Sequence, residues 1–227
     1  MSRIIAGAGK GRRLKTAAGD ATRPTGARVR QSLFDILAPL IPGCRFLDAF
    51  AGSGGVGLEA LSRGASKVVL VDRGASAVEA AKENARMLAS AGGEVQVFRQ
   101  DARMAIGALG DQGMQFDVVY LDPPYASDLY EPLLALLGDG PLLAEDGVVV
   151  AEHFHKRALP ETIGALIRTR EKRVGDHILS FYRRASGADR TVVADERARG
   201  VDGRDGTSGG RAHDEGPGGR RVGGGAE

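Results

Sequence analysis

The residues with the clearest chemical potential lie at positions 121–127, which read LDPPYAS. They follow FDVVY, an apolar run typical of a buried strand. Because proline cannot donate a hydrogen bond to a neighbouring strand, the strand must end here. The segment therefore places a carboxylate, a stiff pair of prolines and an aromatic ring at the end of a strand. The three residues of interest are Asp122, Pro123 and Tyr125.

These three residues suit the chemistry of a planar amine nitrogen. Such an amine, on a nucleobase or an amide, is a poor nucleophile because its lone pair is delocalised. A methyltransferase must accept hydrogen bonds from its N–H groups while the nitrogen becomes tetrahedral. We predict that the Asp122 carboxylate and the Pro123 carbonyl accept these bonds. Tyr125 would stack on a flipped base, which is worth roughly 1–3 kcal/mol.

A glycine-rich loop lies upstream, within DAFAGSGGVGLEAL. Gly52, Gly54 and Gly57 satisfy G-x-G-x-x-G, and Asp72 follows at the distance expected of a ribose-binding acid. A dinucleotide and S-adenosylmethionine both fit this pattern, and a structural turn without a ligand is a third interpretation. Asp48 favours S-adenosylmethionine, because a carboxylate before the loop would repel a pyrophosphate but attract an ammonium group.

A second candidate contact with the cofactor follows the next strand, in FRQDA. The Asp101 carboxylate could accept a hydrogen bond from the exocyclic amine of adenine, and the Ala102 backbone N–H could donate to a ring nitrogen. Asp101 is also a good N-cap for the helix predicted to follow it. The two roles are compatible, so the sequence leaves both open.

The elements that must position these residues alternate between strand and helix. Apolar runs at 45–50, 67–72, 94–101, 116–122 and 147–153 predict strands, with helices between them and a closing hairpin at 169–184. This pattern is typical of an α/β fold whose mostly parallel sheet has helices on both faces. Ligands bind such sheets at the carboxyl ends of the strands. Four acids occupy those ends: Asp48, Asp72, Asp101 and Asp122.

Charge and glycine content divide the chain into three parts. Residues 1–30 carry eight Lys or Arg and one acid. We predict a basic arm over 1–22, a catalytic domain over 23–185, and a disordered Gly/Arg-rich tail over 186–227. A basic block at one end suggests a polyanionic partner, although a solvated tail would have the same composition.

Several classes of protein are disfavoured by composition. No apolar run is long enough to span a membrane, and no secretory signal is visible. A single cysteine, Cys44, excludes an internal disulfide framework and a cysteine-based zinc site. We therefore expect a cytoplasmic protein without a metal.

Five blocks in order resemble the RsmD family of bacterial methyltransferases, which act on the exocyclic N2 of a guanine in small-subunit ribosomal RNA. They are RIIAGAGKGRRLK, TRPTGARVRQSLFDIL, FLDAFAGSGGVGLEALSRGA, VLVDR and DVVYLDPPY. The resemblance runs from about residue 3 to residue 184. It implies a Rossmann-like class I methyltransferase fold, with a seven-stranded sheet and an antiparallel hairpin at one edge.

The resemblance also assigns residues by position. The methionine and ribose parts of S-adenosylmethionine would be held by Asp48, Gly52, Gly54 and Asp72, and adenine by Asp101. Guanine would be held by Asp122, Pro123 and Tyr125. The residues placed near the RNA would be Arg23, Thr25, Arg28 and Arg30. The implied partner is ribosomal RNA within an assembly particle, and we expect the protein to be a monomer.

Other functions fit parts of the sequence. The DPPY segment also occurs in methyltransferases that act on DNA adenine or protein glutamine. A non-catalytic RNA-binding assembly factor could keep the fold, and a nicotinamide oxidoreductase could keep the glycine loop. The family pattern lacks the long tail after residue 186, and the Gly-Ala pair in PTGARV departs from the more polar pair expected there.

Overall fold

The computed structural model of the protein describes residues 2–16, 26–124 and 128–185. These residues belong to one compact unit that ends at Ala185. Several predictions fall outside the described residues: those for Arg23, Thr25 and Tyr125, the end of the basic arm, and the tail. Within the described ranges, no helix has the length and apolar character needed to cross a membrane.

Ten strands and five α-helices follow one another along the described residues. The strands are β1 (Ser2–Arg3), β2 (Arg13–Leu14), β3 (Arg45–Asp48), β4 (Lys67–Asp72), β5 (Glu94–Arg99), β6 (Phe116–Leu121), β7 (Leu143–Phe154), β8 (Thr162–Ile163), β9 (Leu166–Val174) and β10 (His177–Arg184). The helices are α1 (Ala27–Leu37), α2 (Gly57–Ser62), α3 (Ala75–Met87), α4 (Ala102–Asp111) and α5 (Tyr130–Asp139).

The main sheet has eight strands in the order β5-β4-β3-β6-β7-β10-β9-β8. Strands β3 to β7 pair in parallel, and β10 pairs antiparallel with both β7 and β9. The predicted Rossmann-like sheet with a closing hairpin is confirmed. The predicted count of seven strands is one too low, because the two residues of β8 pair with the start of β9. Two residues are too few to show alternating polarity in a sequence.

Two layers of helices cover the sheet, and each buries its own core. Phe46 and Leu47 are neighbours on β3, and their side chains point to opposite faces because side chains alternate along a strand. Phe46 belongs to the cluster that contains Phe34 of α1, and Leu47 to the cluster that contains Leu133 of α5. The prediction of helices on both faces is therefore confirmed.

The N-terminal residues pack on the body of the protein. β1 and β2 pair antiparallel, with Ser2 opposite Leu14. Ile4 and Leu14 are buried in the same cluster as Phe34, and burial of apolar surface stabilises this arrangement. The basic side chains of the hairpin stay on the surface; they are Arg3, Lys10, Arg12 and Arg13. Residues 2–16 are thus a structural part of the domain as well as a basic segment.

Glu59 on α2 anchors this hairpin. Its side chain is 0% exposed, and its two oxygens accept hydrogen bonds from the Ile5 N–H at 2.7 Å and the Ala6 N–H at 3.0 Å. Arg63 Nε donates to the same carboxylate at 2.7 Å. Because a buried carboxylate is tolerated only when it is paired and hydrogen-bonded, these partners explain how α2 holds an acid in the core.

Asn84 on α3 makes a second link between the N-terminal segment and the body. Its carbonyl oxygen accepts from the Lys15 N–H at 2.9 Å, and its amide donates to the Lys15 carbonyl at 2.9 Å. The same amide group donates to the Ser53 carbonyl at 2.9 Å. The segment after β2 is therefore bound, through one buried side chain, to the glycine-rich loop.

We expect Glu59→Gln to lower the free energy of unfolding by about 3–5 kcal/mol, the range found when one partner of a buried ion pair is removed. The amide cannot accept from both backbone N–H groups and balance Arg63. Urea denaturation measures the change. Glu79→Gln is the control, because Glu79 is exposed and pairs with Lys82 on one helix, which is worth about 0.3–0.5 kcal/mol. Equal losses in the two variants would contradict the prediction.

Candidate active site

A cavity of about 610 Å³ opens at the carboxyl ends of β3, β4 and β6. β3 lies between β4 and β6, so the order of the strands reverses at this point of the sheet. Open α/β sheets bind ligands at such a switch point, and the volume is within the range of small-molecule sites. Four predicted acids lie in its wall: Asp48, Asp72, Asp101 and Asp122.

The three glycines of the loop have different surroundings. Gly52 has a φ of 52°, and a Cβ added to it would meet nothing within 4 Å, so this backbone faces the open cavity. Gly54 has a φ of 86°, and an added Cβ would lie 2.9 Å from Leu58 Cδ1. Gly54 was predicted as a cofactor contact but does not line the cavity. Its place in the left-handed region makes the turn, and Gly57 lets α2 pack against β4.

Asp48 is a buried carboxylate with incomplete compensation. It is 1% exposed, and its Oδ2 accepts from the Gly57 N–H at 3.0 Å. Oδ1 has no hydrogen-bond partner of normal geometry among the described residues. Burial raises the pKa of Asp48 to about 7, although the backbone N–H groups of Gly57 and Phe50 lower it. The site therefore favours a cation beside this carboxyl group.

Asp72 joins the glycine loop to the start of α3. Its Oδ2 accepts from the Gly52 N–H at 2.8 Å and its Oδ1 from the Gly74 N–H at 2.7 Å. Each oxygen keeps a lone pair for a further donor. Asp72 thus holds the loop in place and presents acceptors to the cavity, which is compatible with the ribose contact predicted for it.

Asp101 and Ala102 close the cavity on the side of β5. Asp101 caps α4, because its Oδ1 accepts from the Arg103 N–H at 2.9 Å and the Met104 N–H at 3.4 Å. The N-cap role that the sequence left open is therefore present. Both Asp101 and Ala102 line the cavity as well, so the predicted adenine contact remains geometrically compatible with the cap.

Asp122 and Pro123 follow β6 directly, and both line the cavity. In the sheet, β6 lies on the other side of β3 from β4, which ends at Asp72, and from β5, which precedes Asp101. Pro123 is buried and Asp122 is half-buried. Asp122 and Pro123 thus line the same cavity as the glycine loop. Tyr125 lies outside the described residues, so its stacking role stays a prediction.

A row of polar groups continues from this point through the interior. The Tyr120 hydroxyl donates a short hydrogen bond to Glu152, and Glu152 Oε1 lies 2.8 Å from His177 Nδ1. Burial raises the pKa of Tyr120 well above its usual value, and the charges of Glu152 and Asp122 raise it further. Tyr120, which lines the cavity, therefore stays protonated and donates its one O–H to Glu152.

Arg30 lies in surroundings that the sequence did not predict. It was predicted to contact RNA, but it is 3% exposed and lines the cavity. Its guanidinium donates to Ser2 Oγ at 3.2 Å and to the Arg3 carbonyl at 2.8 Å. The available signal was its position on the buried stripe of α1, which also carries Leu33 and Phe34. Arg28, by contrast, is exposed.

Two further wall residues, Ser2 and Thr16, were also missed by sequence reasoning. They come from the N-terminal segment, and nothing in their type or spacing marks them as part of a site formed by β3 and β6. Across the described ranges, the structure contains no group of three or more His, Cys, Asp or Glu side chains that could hold a metal ion.

Comparisons with known proteins show which family the chain resembles. The family described as Conserved hypothetical protein 95 matches residues 2–183. YlbH of Bacillus subtilis (strain 168), whose name places it provisionally among the rRNA methyltransferases, is 42% identical over 182 residues, 80% of this chain and 98% of that protein. Ribosomal RNA small subunit methyltransferase D of Escherichia coli (strain K12) is 34% identical over 182 residues, 80% of this chain and 89% of that protein.

A solved structure shows the same fold. The Escherichia coli protein yhhF, provisionally named a methyltransferase, superposes with a TM-score of 0.69 at 34% identity, over 80% of this chain and 97% of that chain. The family match spans almost all of the described residues, and the chain covers these relatives nearly end to end. The protein therefore belongs to the Conserved hypothetical protein 95 family, which is the RsmD family.

Proposed function

We propose that the protein transfers a methyl group from S-adenosylmethionine to the exocyclic N2 of a guanine in small-subunit ribosomal RNA. The observation that carries the proposal is a single cavity with two features in its wall. One is the buried carboxylate of Asp48, which an ammonium group would compensate, and the other is the Asp122–Pro123 pair. The RsmD family membership and the name of the Escherichia coli relative support the ribosomal substrate. A ribosomal substrate also suits the cytoplasmic location expected from the sequence.

The residues of the cavity fit S-adenosylmethionine better than a dinucleotide. Asp48 Oδ1 is buried without a hydrogen-bond partner among the described residues, and an ammonium group would compensate it. A pyrophosphate beside the same carboxylate would be repelled. The open backbone of Gly52 allows close approach of a ligand. The half-buried Asp72 stands next to it with free lone pairs for ribose hydroxyls.

The cofactor, when bound, supplies an electrophilic methyl group. The protein then has to position the acceptor nitrogen. The Asp122 carboxylate and the Pro123 carbonyl accept the two N–H hydrogen bonds of the guanine amine, and this stabilises the nitrogen as it becomes tetrahedral. No strong base is required, because the nitrogen becomes acidic as its new bond forms. Asp122 is the carboxylate nearest to that amine on this proposal and receives its proton.

The RNA is held on this proposal by exposed basic residues around the cavity. Ser2 and Thr16 line the cavity, and the hairpin between them carries Lys10 and Arg13 on its surface. Arg28 is exposed beside the same hairpin. Because Ser2 and Thr16 line the cavity, we propose that the catalytic domain begins at residue 2 and not at residue 23. We retain Arg23, Thr25 and Tyr125 as proposed contacts and expect a monomer.

One experiment tests the proposed function. Small-subunit particles from a strain that lacks its own guanine-N2 enzyme are incubated with the protein and S-adenosylmethionine, and the nucleosides are identified by mass spectrometry. We expect N2-methylguanosine. Parallel reactions with DNA and with a glutamine-containing peptide test the other acceptors. Methyladenine in DNA, methylglutamine, or no methyl transfer to any acceptor would each overturn the proposal.

We expect Asp122→Ala to lower the rate of methyl transfer at saturating substrate by at least about 10²-fold, because it removes an interaction used in the transition state. Binding of S-adenosylmethionine, measured by calorimetry, should change little. Asp128→Ala is the matched control, since Asp128 is a fully exposed acid that does not line the cavity. Turnover of Asp122→Ala close to that of the control would remove Asp122 from the mechanism.

Cofactor affinity should depend on pH through Asp48. The pKa of its carboxyl group is raised to about 7 by burial, and an ammonium ligand binds the ionised form. We therefore expect the Kd for S-adenosylmethionine to fall as pH rises from 5.5 to about 7 and then to level off. Asp48→Asn should weaken binding and remove this dependence. An unchanged pH profile in Asp48→Asn would show that another group titrates.

Removal of basic residues from the hairpin should weaken RNA binding. We expect Lys10→Ala combined with Arg13→Ala to reduce the slope of log Kd against log salt by roughly 0.7–0.9 for each lost phosphate contact. Cofactor affinity should be unchanged. Lys67→Ala is the control, because Lys67 lies at the amino end of β4, away from the cavity. An RNA slope in the double variant equal to that of the control would exclude the hairpin as an RNA contact.

A further inference from the structure

Arg30 is a buried cation in the wall of the cavity. It lies on the face of α1 that packs into the core, and only 3% of it is exposed. Arginine is almost never fully buried unless it is paired. The surroundings of this guanidinium therefore show whether the protein supplies hydrogen-bond acceptors for all of its N–H groups or leaves some of them for a ligand.

The protein satisfies Arg30 only in part. A guanidinium has five N–H donors, and two are used, by Ser2 Oγ at 3.2 Å and by the Arg3 carbonyl at 2.8 Å. Its Nε is buried with no hydrogen-bond partner among the described residues. The nearest carboxylate oxygen, Glu59 Oε2, is 3.9 Å from Nε. Glu59 itself is already saturated by two backbone N–H groups and Arg63.

The guanidinium stands beside the glycine loop. A Cβ added to Gly55 would lie 3.6 Å from Arg30 NH1 and 3.7 Å from Ser2 Oγ. Two residues further along the loop, the Gly57 N–H donates to Asp48 at 3.0 Å. Arg30 and Asp48 thus both lie beside the short segment from Gly55 to Gly57. They line one cavity, and no ion pair joins them. A buried acid and a buried base are each left with an unpaired atom: Asp48 Oδ1 and Arg30 Nε.

We propose that Arg30 binds the carboxylate of the amino-acid end of S-adenosylmethionine while Asp48 binds its ammonium group, so that the two form a site for an α-amino-acid zwitterion. This inference rests on the proposed function. A zwitterion brings the two complementary charges into the cavity together and compensates both buried groups. An exposed pair would be screened by water and contribute little, whereas these groups are buried, so their selectivity for the charged ligand is strong.

The competing explanation is that Arg30 is only structural and holds the N-terminal hairpin through Ser2 and Arg3. Both roles predict that its substitution destabilises the protein. The two roles differ in the ligand selectivity that they predict. A ligand-binding Arg30 favours a ligand with a carboxylate over the same ligand without one, whereas a structural Arg30 does not. Decarboxylated S-adenosylmethionine is such a ligand, since it keeps the adenosine, the sulfonium and the amine.

The first measurement uses the wild-type protein and calorimetric titration with the two ligands. We expect S-adenosylmethionine to bind roughly 10- to 100-fold more tightly than its decarboxylated form, as for the loss of a hydrogen bond between charged groups. Equal affinities would overturn the assignment of Arg30 and leave cofactor use intact. Failure of the wild type to bind either ligand would overturn the proposed function itself, together with this inference.

The second measurement compares Arg30→Gln with Arg63→Gln. Arg63 flanks Glu59 from the other side, with its Nε 2.7 Å from Oε1, and does not line the cavity. Arg63→Gln therefore disturbs the same buried cluster and should keep the wild-type ratio of the two affinities. Arg30→Gln should bring that ratio close to one. Thermal unfolding of both variants identifies temperatures at which they are folded, and binding is measured there.

The outcome of the comparison is decisive in both directions. A ratio near one in Arg30→Gln and a wild-type ratio in Arg63→Gln support the proposal. A wild-type ratio in Arg30→Gln would overturn it, and so would an equal collapse of the ratio in both variants, because a general disturbance around Glu59 would then explain it. If Arg30→Gln instead weakened only RNA binding, the guanidinium would serve a phosphate and the proposal would also be wrong.

Discussion

The register between β3 and β6 is the constraint on which the site depends. These strands pair in parallel with Asp48 opposite Tyr120. Because side chains alternate between the faces of a sheet, Asp48, Tyr120 and Asp122 project to the same side. A slip of one residue would turn Asp48 and Asp122 to opposite faces. The register is secured by buried apolar pairs, Phe46 with Val118 and Leu47 with Val119. The packing of the core therefore keeps the side chains of Asp48 and Asp122 on the same face of the sheet.

Three buried charged side chains, Glu59, Asp48 and Arg30, fall into two kinds. Glu59 is fully compensated, since backbone N–H groups and Arg63 occupy its oxygens. It acts as a structural anchor for the N-terminal hairpin. Asp48 and Arg30 face the cavity and each retain an unpaired atom. An incompletely paired charge in the interior lowers the stability of the folded protein. A ligand that completes the pairing restores that stability in the complex. For these three groups, incomplete pairing coincides with a place in the cavity wall.

Most of the sheet and part of the site follow from the sequence. Continuous apolar runs such as FDVVY predict buried strands, and turn residues such as Pro123 mark where they end. Because parallel strands end at a common edge, the acids at those ends predict a ligand rim. Asp48, Asp72, Asp101 and Asp122 all line the cavity. Gly54 was assigned by motif position, which does not distinguish a glycine that makes the turn from one that faces the ligand.

The sequence by itself determined the strand-end acids, the glycine loop and the DPPY segment, because these depend on local order along the chain. Only the tertiary structure decided which residues complete the cavity. Ser2 and Thr16 reach it because the N-terminal hairpin folds back onto α2 and is held there by Glu59, more than fifty positions away along the chain. Arg30 reaches it from the buried stripe of α1. Such long-range burial turned a predicted RNA-contacting arginine into a cavity residue, since its neighbours come from distant parts of the chain.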